Sequence, residues 1–446
     1  MSFSRQYIKL VERFLPSPFV IAILLSGITF FLALIFTNQE GNILHQSQSI
    51  LGFWQTGFWE LLAFTMQMVL ILLLGHTLAL TPFFSRIINK IASIPNNTAQ
   101  AGFLISFFTI IMSFLNWGLC LVFGAILSRR IGENFTSQNK AFNYGILGAA
   151  GYSGMMVWHG GLSASAPLKV AEAKHFLVDK IGAISISETL FSTMNIVISF
   201  VLLIAVPSLF YLLGKYFKSN SDYQSILTQK EEKVEETQSN DSENKAWIAY
   251  ALGGVMLISA VLFAVNKWQS NQAFMDLNFV NFLFLTFGIL LHGSLAKFMS
   301  AVNSGIQGVS GIVIQFPLYS GIMGIMKYSG LVILISDFFV SISTATSFPI
   351  LTFFSAGLVN FFVPSGGGQW AVQGPIVVEA AQALNIPIPK IVMALSYGDQ
   401  ITNMLQPFWA LPLLGITQLK AKDILPYSLF ALILGSLIFI GGLLVF

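Results

Sequence analysis

The amino-acid sequence predicts an all-α polytopic membrane protein made of two inverted structural repeats, each with a re-entrant hairpin and a broken transmembrane helix. Three observations support this prediction. Hydrophobic residues make up 55% of the 446 residues and charged residues only 9%, whereas an average soluble protein has about 25% charged residues. Glycine- and proline-containing breaks interrupt apolar segments at corresponding places in the two halves. One strongly charged segment separates these halves.

The first apolar segment, 19–36, follows three positively charged residues. It is long enough to span a bilayer and no clean cleavage site follows it, so it is predicted to be a retained helix. Because positive residues stay on the cytoplasmic side, the N-terminus is predicted to be cytoplasmic. The segment 37–56 has no lysine or arginine. It is predicted to be an outside loop before a second helix over about 57–80.

The chain divides into two repeats and a connection between them. Residues 1–218 form the first predicted transmembrane repeat and residues 267–446 the second. A charged cytoplasmic linker at 219–245 and a connecting transmembrane helix at 246–266 join them. The linker holds 10 of the chain's 41 charged residues and has almost no apolar content, so it is predicted to be solvated.

Each repeat is predicted to contain one hairpin and one broken helix. The hairpins cover about 99–131 and 348–384, and the broken helices cover about 141–168 and 390–415. Paired interruptions at corresponding places are typical of repeat-built transporters. Because the first half has an even number of full crossings and a connecting helix follows it, the second repeat is expected to be inverted relative to the first.

The breaks supply polar groups at membrane depth, where irregular backbone is tolerated only if protein covers it or if it lines a cavity. Helix N-termini suit an anion, and carbonyl and side-chain oxygens suit a small cation. Neutral candidate binding residues at the breaks are Asn116, Ser163, Ser165, Ser365, Gln369, Thr402, Asn403 and Gln406. No lysine or arginine lies in these motifs, which favours a small monoanion over a dicarboxylate. The candidate Na⁺ ligands are Asn116, Ser163, Ser365 and Asn403.

The hairpin tips add further candidate residues. Asn116 is followed by Trp117 and Gly118 at the first tip. At the second tip a proline and a serine precede three glycines, a sequence that cannot continue a helix comfortably. These glycines are Gly366, Gly367 and Gly368.

Two ionisable residues lie beside the breaks. Asp399 is the acidic residue most clearly embedded there, and a carboxylate at membrane depth needs a cation, a proton or a partner. The alternative is that Asp399 caps a helix through a hydrogen bond to Thr402 or Asn403. His159 could relay protons near neutral pH, but it could equally be a packing or hydrogen-bonding residue.

The break sequences resemble a known family. The segments FFVPSGGGQWAVQGP (361–375) and YGDQITNMLQPFWALP (397–412) look like the short-chain fatty acid transporter family, as do GFWELLAFTMQMVLILLLGHTLA (57–79), NWGLCLVFGA (116–125) and GGLSASAPL (160–168). The resemblance covers nearly the whole chain. It implies import of short-chain acids such as acetoacetate or butyrate across the bacterial cytoplasmic membrane. It also implies inverted repeats and elevator-like motion, as in the wider ion-transporter superfamily.

The resemblance also implies a solute site. Residues of this sequence that match the family motifs are Asn116, Ser163, Ser165, Ser365 to Gln369, Asp399, Asn403 and Gln406. Two positions depart from the family pattern: His159 stands where a glycine is common, and Asp399 where a longer acid occurs. Analogy with the superfamily suggests a homodimer.

The sequence therefore predicts a secondary active transporter for short-chain monocarboxylates, coupled to Na⁺ or H⁺, and not an enzyme. No cofactor is expected other than the coupling ion, and a net charge of +3 is too small to suggest a nucleic-acid partner. One alternative is an ion/proton antiporter on the same scaffold. A less favoured alternative is an intramembrane acyl-transfer enzyme that uses His159 and a nearby serine.

Overall fold

A computed structural model of the chain describes residues 18–37, 42–60, 62–172, 175, 177–217, 245–270, 277–364 and 366–446. The positively charged N-terminal residues lie outside this part of the chain. So does the predicted charged linker, except for Lys245, and so does Ser365 of the second hairpin.

The described part of the chain is helical, and no strand occurs in it. In the first half the helices are α1 Pro18–Phe36, α2 Ile43–Glu60, α3 Leu62–Ala79, α4 Pro82–Ala92, α5 Thr98–Leu115, α6 Trp117–Ser137, α7 Tyr144–Tyr152, α8 Ala166–Ala171, α9 Val178–Ile181 and α10 Thr193–Tyr216. Two 3₁₀ turns, Ser153–Met156 and Trp158–Gly160, lie between α7 and α8.

The second half repeats this order of hairpin, broken helix and long closing helix. Its helices are α11 Ala246–Gln269, α12 Leu277–His292, α13 Leu295–Gly305, α14 Ser310–Tyr328, α15 Leu331–Ser341, α16 Phe348–Asn360, α17 Gly366–Ala383, α18 Ile388–Thr402, α19 Pro407–Thr417 and α20 Ala421–Val445. One 3₁₀ turn, Ile306–Val309, precedes α14, and another, Asn403–Leu405, lies between α18 and α19.

The segment predicted as an outside loop, 37–56, is mostly helical, so that prediction is wrong from Ile43 onward. Helix α2 packs along α14, and their backbones cross at Gly57 and Gly324. Polar residues in the first turns of α2 concealed this helix in the sequence. Small residues at the crossing let the two backbones approach, which is a common way of packing helices in membranes.

Several helices are long and apolar enough to cross a membrane. Among the described residues these are Ile43–Leu78, Thr98–Leu115, Thr193–Tyr216, Ala246–Gln269 and Ala421–Val445, and the pair Val313–Tyr328 and Leu331–Ser341, bent by 69°, adds a sixth. A helix of 18–25 residues is about 27–38 Å long, which matches the hydrocarbon thickness of a bilayer. The protein is therefore a multi-pass membrane protein.

Helices α5 and α6 form one hairpin and α16 and α17 another. At the open end of the first hairpin, Lys140 Nζ donates to Asn96 Oδ1 (3.2 Å), so the chain returns to the side it came from. In the second hairpin, Gln373 on α17 donates from Nε2 to Ser355 Oγ on α16 (3.1 Å). Both turns are sharp breaks and not continuous helix.

The two hairpins enter the protein from opposite ends. The open end of the first lies by the start of α20, where Asn143 Nδ2 donates to Tyr427 Oη (2.8 Å). Further along α20, Phe439 contacts Phe353 near the open end of the second hairpin, with ring centroids 6.3 Å apart. Because α20 contacts the open ends of the two hairpins at different points along its length, the two tips point toward each other. The predicted all-α fold class with inverted repeats is confirmed.

The helices pack in two groups. The first, called here the scaffold, contains α1–α3 and α11–α14; the second, called the core, contains both hairpins, both broken helices, α10 and α20. Helices α4 and α15 lie between the groups. The groups meet where α3 packs on α6 and where α14 packs on α19, with Phe316 stacked on Phe408 at 4.0 Å.

Candidate functional site

The first hairpin tip is held open by its own side chains. Asn116 has an extended backbone (φ −159°, ψ 130°) between α5 and α6, and its Oδ1 accepts hydrogen bonds from the N–H groups of Gly118 (2.9 Å) and Leu119 (3.1 Å). Ser163 Oγ accepts from the N–H of Trp117 (3.0 Å). These bonds satisfy N–H groups that the first turn of a helix otherwise leaves without partners.

The first broken helix is fixed to the second through His159. This residue is buried, and its backbone N–H donates to Gln400 Oε1 on α18 (2.7 Å). The N–H of Ser165 donates to His159 Nδ1 (3.2 Å), and the ring of Trp158 stacks on the imidazole at 3.6 Å. The two halves of the chain therefore meet at the first break.

The second hairpin tip is organised by Asn360, the last residue of α16. Its Nδ2 lies within hydrogen-bond distance of the backbone oxygen of Asp399 (2.8 Å), Asn403 Oδ1 (2.9 Å) and Thr402 Oγ1 (3.0 Å). Gln406 Nε2 donates to the backbone oxygen of Asn360 (2.6 Å). Asn360 thus attaches the second tip to both sides of the second break. It was not among the predicted site residues.

The glycines after Ser365 allow a close approach between the halves. A Cβ atom at Gly366 would lie 2.7 Å from His159 Nε2 and 2.9 Å from Ser165 Oγ, which no side chain tolerates without displacement. A Cβ at Gly367 would meet nothing within 4 Å. A side chain is therefore excluded at Gly366 but not at Gly367. Gly366, the first residue of α17, contacts the imidazole of the first break.

His159 and Asp399 form a buried pair across the two breaks. His159 Nε2 and Asp399 Oδ1 are 3.5 Å apart, and the side chains are 1% and 2% exposed. This separation allows electrostatic interaction but is longer than a well-formed hydrogen bond. The carboxylate does not cap a helix through Thr402 or Asn403; instead, the Asp399 backbone oxygen accepts from Thr402 Oγ1 (3.1 Å).

Three tryptophans line the place where the first tip meets both breaks. Trp117 lies 5.9 Å from Trp158 and 5.0 Å from Trp409, measured between ring centroids. All three side chains are buried. They form an apolar wall next to the polar groups of the site, an arrangement typical of small-molecule pockets.

Several buried polar atoms at the site have no hydrogen-bond partner within the described part of the chain. In the first half these include Asn116 Nδ2, Trp158 Nε1 and His159 Nε2. In the second half they include the acceptors Asn360 Oδ1, Gln369 Oε1, Gln406 Oε1 and Asp399 Oδ2. Because buried polar groups are normally satisfied, these atoms are the groups expected to contact a solute and its coupling ion. The donors suit an anion and the acceptors suit a cation or a proton donor.

The described residues among the predicted Na⁺ ligands already accept hydrogen bonds through their side-chain oxygens. Asn116 Oδ1 accepts two N–H groups, Ser163 Oγ accepts one from Trp117, and Asn403 Oδ1 accepts from Asn360. An oxygen that already accepts N–H groups has fewer of its two lone pairs left for a cation. The Na⁺ site stays a prediction, and among the residues that the structure describes no cluster of three His, Cys, Asp or Glu side chains that could hold a metal occurs.

The structure brings most of the predicted site residues together around the two tips and two breaks. Gly118 contacts the scaffold, since a Cβ there would lie 2.3 Å from Ile71 Cδ1. Gln369 donates from Nε2 to Gln373 Oε1 (2.8 Å) and to the backbone oxygen of Ala356 (2.9 Å). Asn360 and Gln400 are not among the site residues predicted from the sequence. Each is a polar residue within or at the end of an apolar helix, and that is the signal that could have identified it.

A membrane-embedded site built from two opposed hairpin tips and two broken helices defines this protein as a transporter. A family model described as short chain fatty acid transporter matches residues 1–446. The chain belongs to this family of transporters, which are not enzymes. It is 37% identical to a provisionally named short-chain fatty acid transporter of Escherichia coli (strain K12), with 99% of both chains covered. It is 36% identical to one of Haemophilus influenzae, with 99% of this chain and 98% of the relative covered.

Two solved structures show a more distant similarity. The YdaH transporter of Alcanivorax borkumensis has a TM-score of 0.44 and 14% identity, covering 96% of this chain and 97% of its own. MtrF of Neisseria gonorrhoeae, described with a class of antimetabolite efflux pumps, has a TM-score of 0.43 and 14% identity, covering 98% and 97%.

Proposed function

We propose that this protein is a secondary active transporter that imports short-chain monocarboxylates, such as acetoacetate or butyrate, coupled to Na⁺ or H⁺. The observation that carries the proposal is the convergence of four interrupted segments, from both halves, on buried polar atoms without partners. Irregular backbone at membrane depth is tolerated only where protein covers it or where it lines a cavity, and transporters build their solute sites at such breaks. The names of the two bacterial relatives agree with this substrate class.

The polarity of the site favours a small monoanion. The free donors Asn116 Nδ2 and Trp158 Nε1 lie on the first-half side, where they can receive a carboxylate. No lysine or arginine forms an ion pair with Asp399 or His159 among the described residues, so a second negative charge on the solute would have no counter-charge. The tryptophans Trp117, Trp158 and Trp409 offer an apolar surface for a short acyl chain.

The division into scaffold and core supports an elevator-type mechanism. Both tips and both breaks belong to the core, and their mutual hydrogen bonds, such as His159 N–H to Gln400 (2.7 Å), fix them to each other. The contact between α3 and α6 and that between α14 and α19 are made of apolar side chains and small residues, for example Phe316 on Phe408. Such a surface allows the core to move as a unit with its solute.

The proposal includes a location and an assembly state. We propose that the protein lies in the bacterial cytoplasmic membrane with a cytoplasmic N-terminus, which the charge distribution and the bacterial relatives support. A homodimer is proposed from the superfamily resemblance alone.

The test is exchange of labelled acetoacetate or butyrate in proteoliposomes that contain the purified protein. The expected result is exchange that unlabelled short-chain monocarboxylates inhibit and dicarboxylates do not. Protein-free liposomes correct for passive passage of the protonated acid. Absence of protein-dependent exchange with every short-chain acid would contradict the proposal, and stabilisation of the protein by cations alone would favour the antiporter.

A further inference from the structure

We propose that the coupling ion is a proton, and that Asp399 carries it while His159 positions the carboxyl group. This inference rests on the proposed transport function and chooses between the two coupling ions left open there. The pair joins the two breaks, since His159 lies in the first and Asp399 in α18 before the second. Because the pair lies between the two breaks, protonation of Asp399 would affect both halves of the site.

The hydrogen bonds of His159 define its protonation pattern. A backbone N–H can only donate, so the bond from Ser165 N–H to Nδ1 (3.2 Å) requires a lone pair on Nδ1. The neutral ring then carries its hydrogen on Nε2, which faces Asp399 Oδ1 at 3.5 Å. In this arrangement the Nε2 hydrogen lies on the side of the ring that faces the carboxyl group, at a distance too long for a well-formed hydrogen bond, and Asp399 Oδ2 is left without a partner among the described residues.

Asp399 differs from the other buried acid in how its oxygens are used. Asp423 Oδ2 accepts from the N–H of Lys420 (2.7 Å) and completes a cap at the start of α20. Asp399 Oδ2 has no hydrogen-bond partner among the described residues, and Oδ1 has only the distant imidazole. A buried carboxylate with so few donors needs a neutralising charge, and a proton on Oδ2 provides it.

A proton fits this position better than a metal ion. A hard cation prefers a shell of several oxygen ligands, but the group that faces Asp399 Oδ1 at 3.5 Å is His159 Nε2, whose N–H would repel a cation. The oxygens of Asn116, Ser163 and Asn403 already face N–H donors. A proton needs only one lone pair on Asp399 Oδ2.

The other ionisable side chains near the pair are occupied elsewhere. Tyr152 on α7 donates its hydroxyl to the backbone oxygens of Asn403 (2.6 Å) and Gln406 (3.0 Å). Tyr397 on α18 donates to Asn195 Oδ1 on α10 (3.0 Å). Neither α16 nor α17 brings a charged side chain into contact with the pair in the described part of the chain. In the described part of the chain, no ion pair joins a lysine, an arginine or a second acid to His159 or Asp399.

The coupling step follows from charge. When Asp399 is ionised, a bound monoanion would add a second negative charge to a buried site. When a proton from outside water forms an O–H bond at Oδ2, that repulsion is removed and the anion binds. After the core has moved, the anion leaves to the cytoplasm, the O–H bond breaks and the proton follows into cytoplasmic water. One proton thus crosses with each monoanion, and no net charge is transferred.

The test uses acetoacetate in proteoliposomes, with a pH-sensitive dye inside and protein-free liposomes to correct for passive passage. The wild type is expected to accumulate acetoacetate when the outside is acidic, without Na⁺, and to bring in one proton per anion. With the same pH on both sides of the membrane, acetoacetate exchange by the wild type is expected to fall as pH rises.

Asp399→Asn, which is neutral at every pH, is expected to exchange acetoacetate with no pH dependence and to lose gradient-driven accumulation. The matched control Asp423→Asn removes a buried acid outside the site and is expected to keep proton-driven accumulation.

Accumulation that follows a Na⁺ gradient and ignores the pH gradient would overturn the inference, as would proton-driven accumulation by Asp399→Asn. If Asp399→Asn does not fold, the proton influx of the wild type is the test. An influx of one proton per anion supports the inference, and no proton influx overturns it. Failure of wild-type exchange would instead contradict the proposed function.

The positioning role of His159 has its own readout. Glutamine can still donate a hydrogen bond to Asp399, whereas leucine cannot. His159→Gln is expected to retain proton-driven accumulation with a shifted pH profile, and His159→Leu to lose it. Equal pH profiles for wild type and His159→Leu would show that His159 does not act on Asp399.

Discussion

At the scale of single residues, the site depends on contacts between side chains that are far apart in the sequence. His159 and Asp399 are 240 positions apart, yet their side chains lie 3.5 Å from each other. Position 366 requires glycine because the imidazole of His159 occupies the space that a Cβ would need. The polar contacts of the site therefore form only where the two repeats pack against each other.

Replacing Gly366 by alanine tests this close approach. The new methyl group would lie 2.7 Å from His159 Nε2, so the imidazole or α17 must shift. A displacement of about 1 Å at a functional site can cost about 100-fold in turnover. We expect Gly366→Ala to lower the rate of monocarboxylate exchange by about this factor. The matched control, Gly367→Ala, meets no atom within 4 Å and should exchange at close to the wild-type rate. Similar rates for both variants would contradict the contact.

The sequence could identify the site residues one by one but not how they pair. Breaks in apolar segments pointed to Asn116, His159, Gly366 and Asp399 without alignment or coordinates. The sequence could not show that His159 faces Asp399, because the residues adjacent to each of them in the sequence do not indicate which residue of the other repeat they contact. Asn360 escaped notice because it ends an apolar helix and looks like part of the preceding segment.

At the scale of elements, the helices of the scaffold cross on small residues. A Cβ at Gly57 of α2 would lie 2.5 Å from Gly324 Cα of α14, and a Cβ at Gly324 would lie 2.4 Å from the backbone oxygen of Phe53. Ser320 Oγ also donates to the backbone oxygen of Gly57. The sequence hid α2 because its polar residues resemble a loop, whereas its packing on α14 explains why it is helical.

Alanine at Gly57 is expected to destabilise this crossing. The methyl group overpacks a backbone-to-backbone contact, and such changes cost about 1–3 kcal/mol. We expect a lower apparent Tm for purified Gly57→Ala in detergent, measured by intrinsic fluorescence. Gly52→Ala, in the same helix with nothing within 4 Å of its Cβ, should be neutral or stabilising because alanine favours helix more than glycine. An unchanged apparent Tm for Gly57→Ala would show that the helices do not cross there.

At the scale of the whole molecule, the sequence predicted the fold class because composition and paired breaks are properties of the entire chain. The division into scaffold and core came only from the structure, since it depends on which helices pack together. The two groups touch at Gly75 of α3 and Val122 of α6, where a Cβ at Gly75 would lie 3.2 Å from Val122 Cβ. This separation is close to the spacing of about 3.8 Å that a disulfide needs.

A disulfide between these positions tests whether the core moves against the scaffold. The double variant Gly75→Cys and Val122→Cys would be made with Cys120→Ala, because Cys120 is the only cysteine of the chain. We expect oxidation to stop transport and reduction to restore it, while each single-cysteine variant is insensitive to oxidant. Full transport by completely cross-linked protein would contradict the elevator mechanism.

The most direct test of the central claim, that interrupted segments from both halves form one solute site, is thermal stabilisation of the purified protein by butyrate. Binding to the folded state stabilises it by about 2.7 kcal/mol at a concentration 100 times the Kd. We predict a rise in apparent Tm for the wild type that is lost both in Asn116→Ala, from the first half, and in Gln406→Ala, from the second. A full rise in either variant would mean that the corresponding half does not contribute to the site, and the account would be wrong.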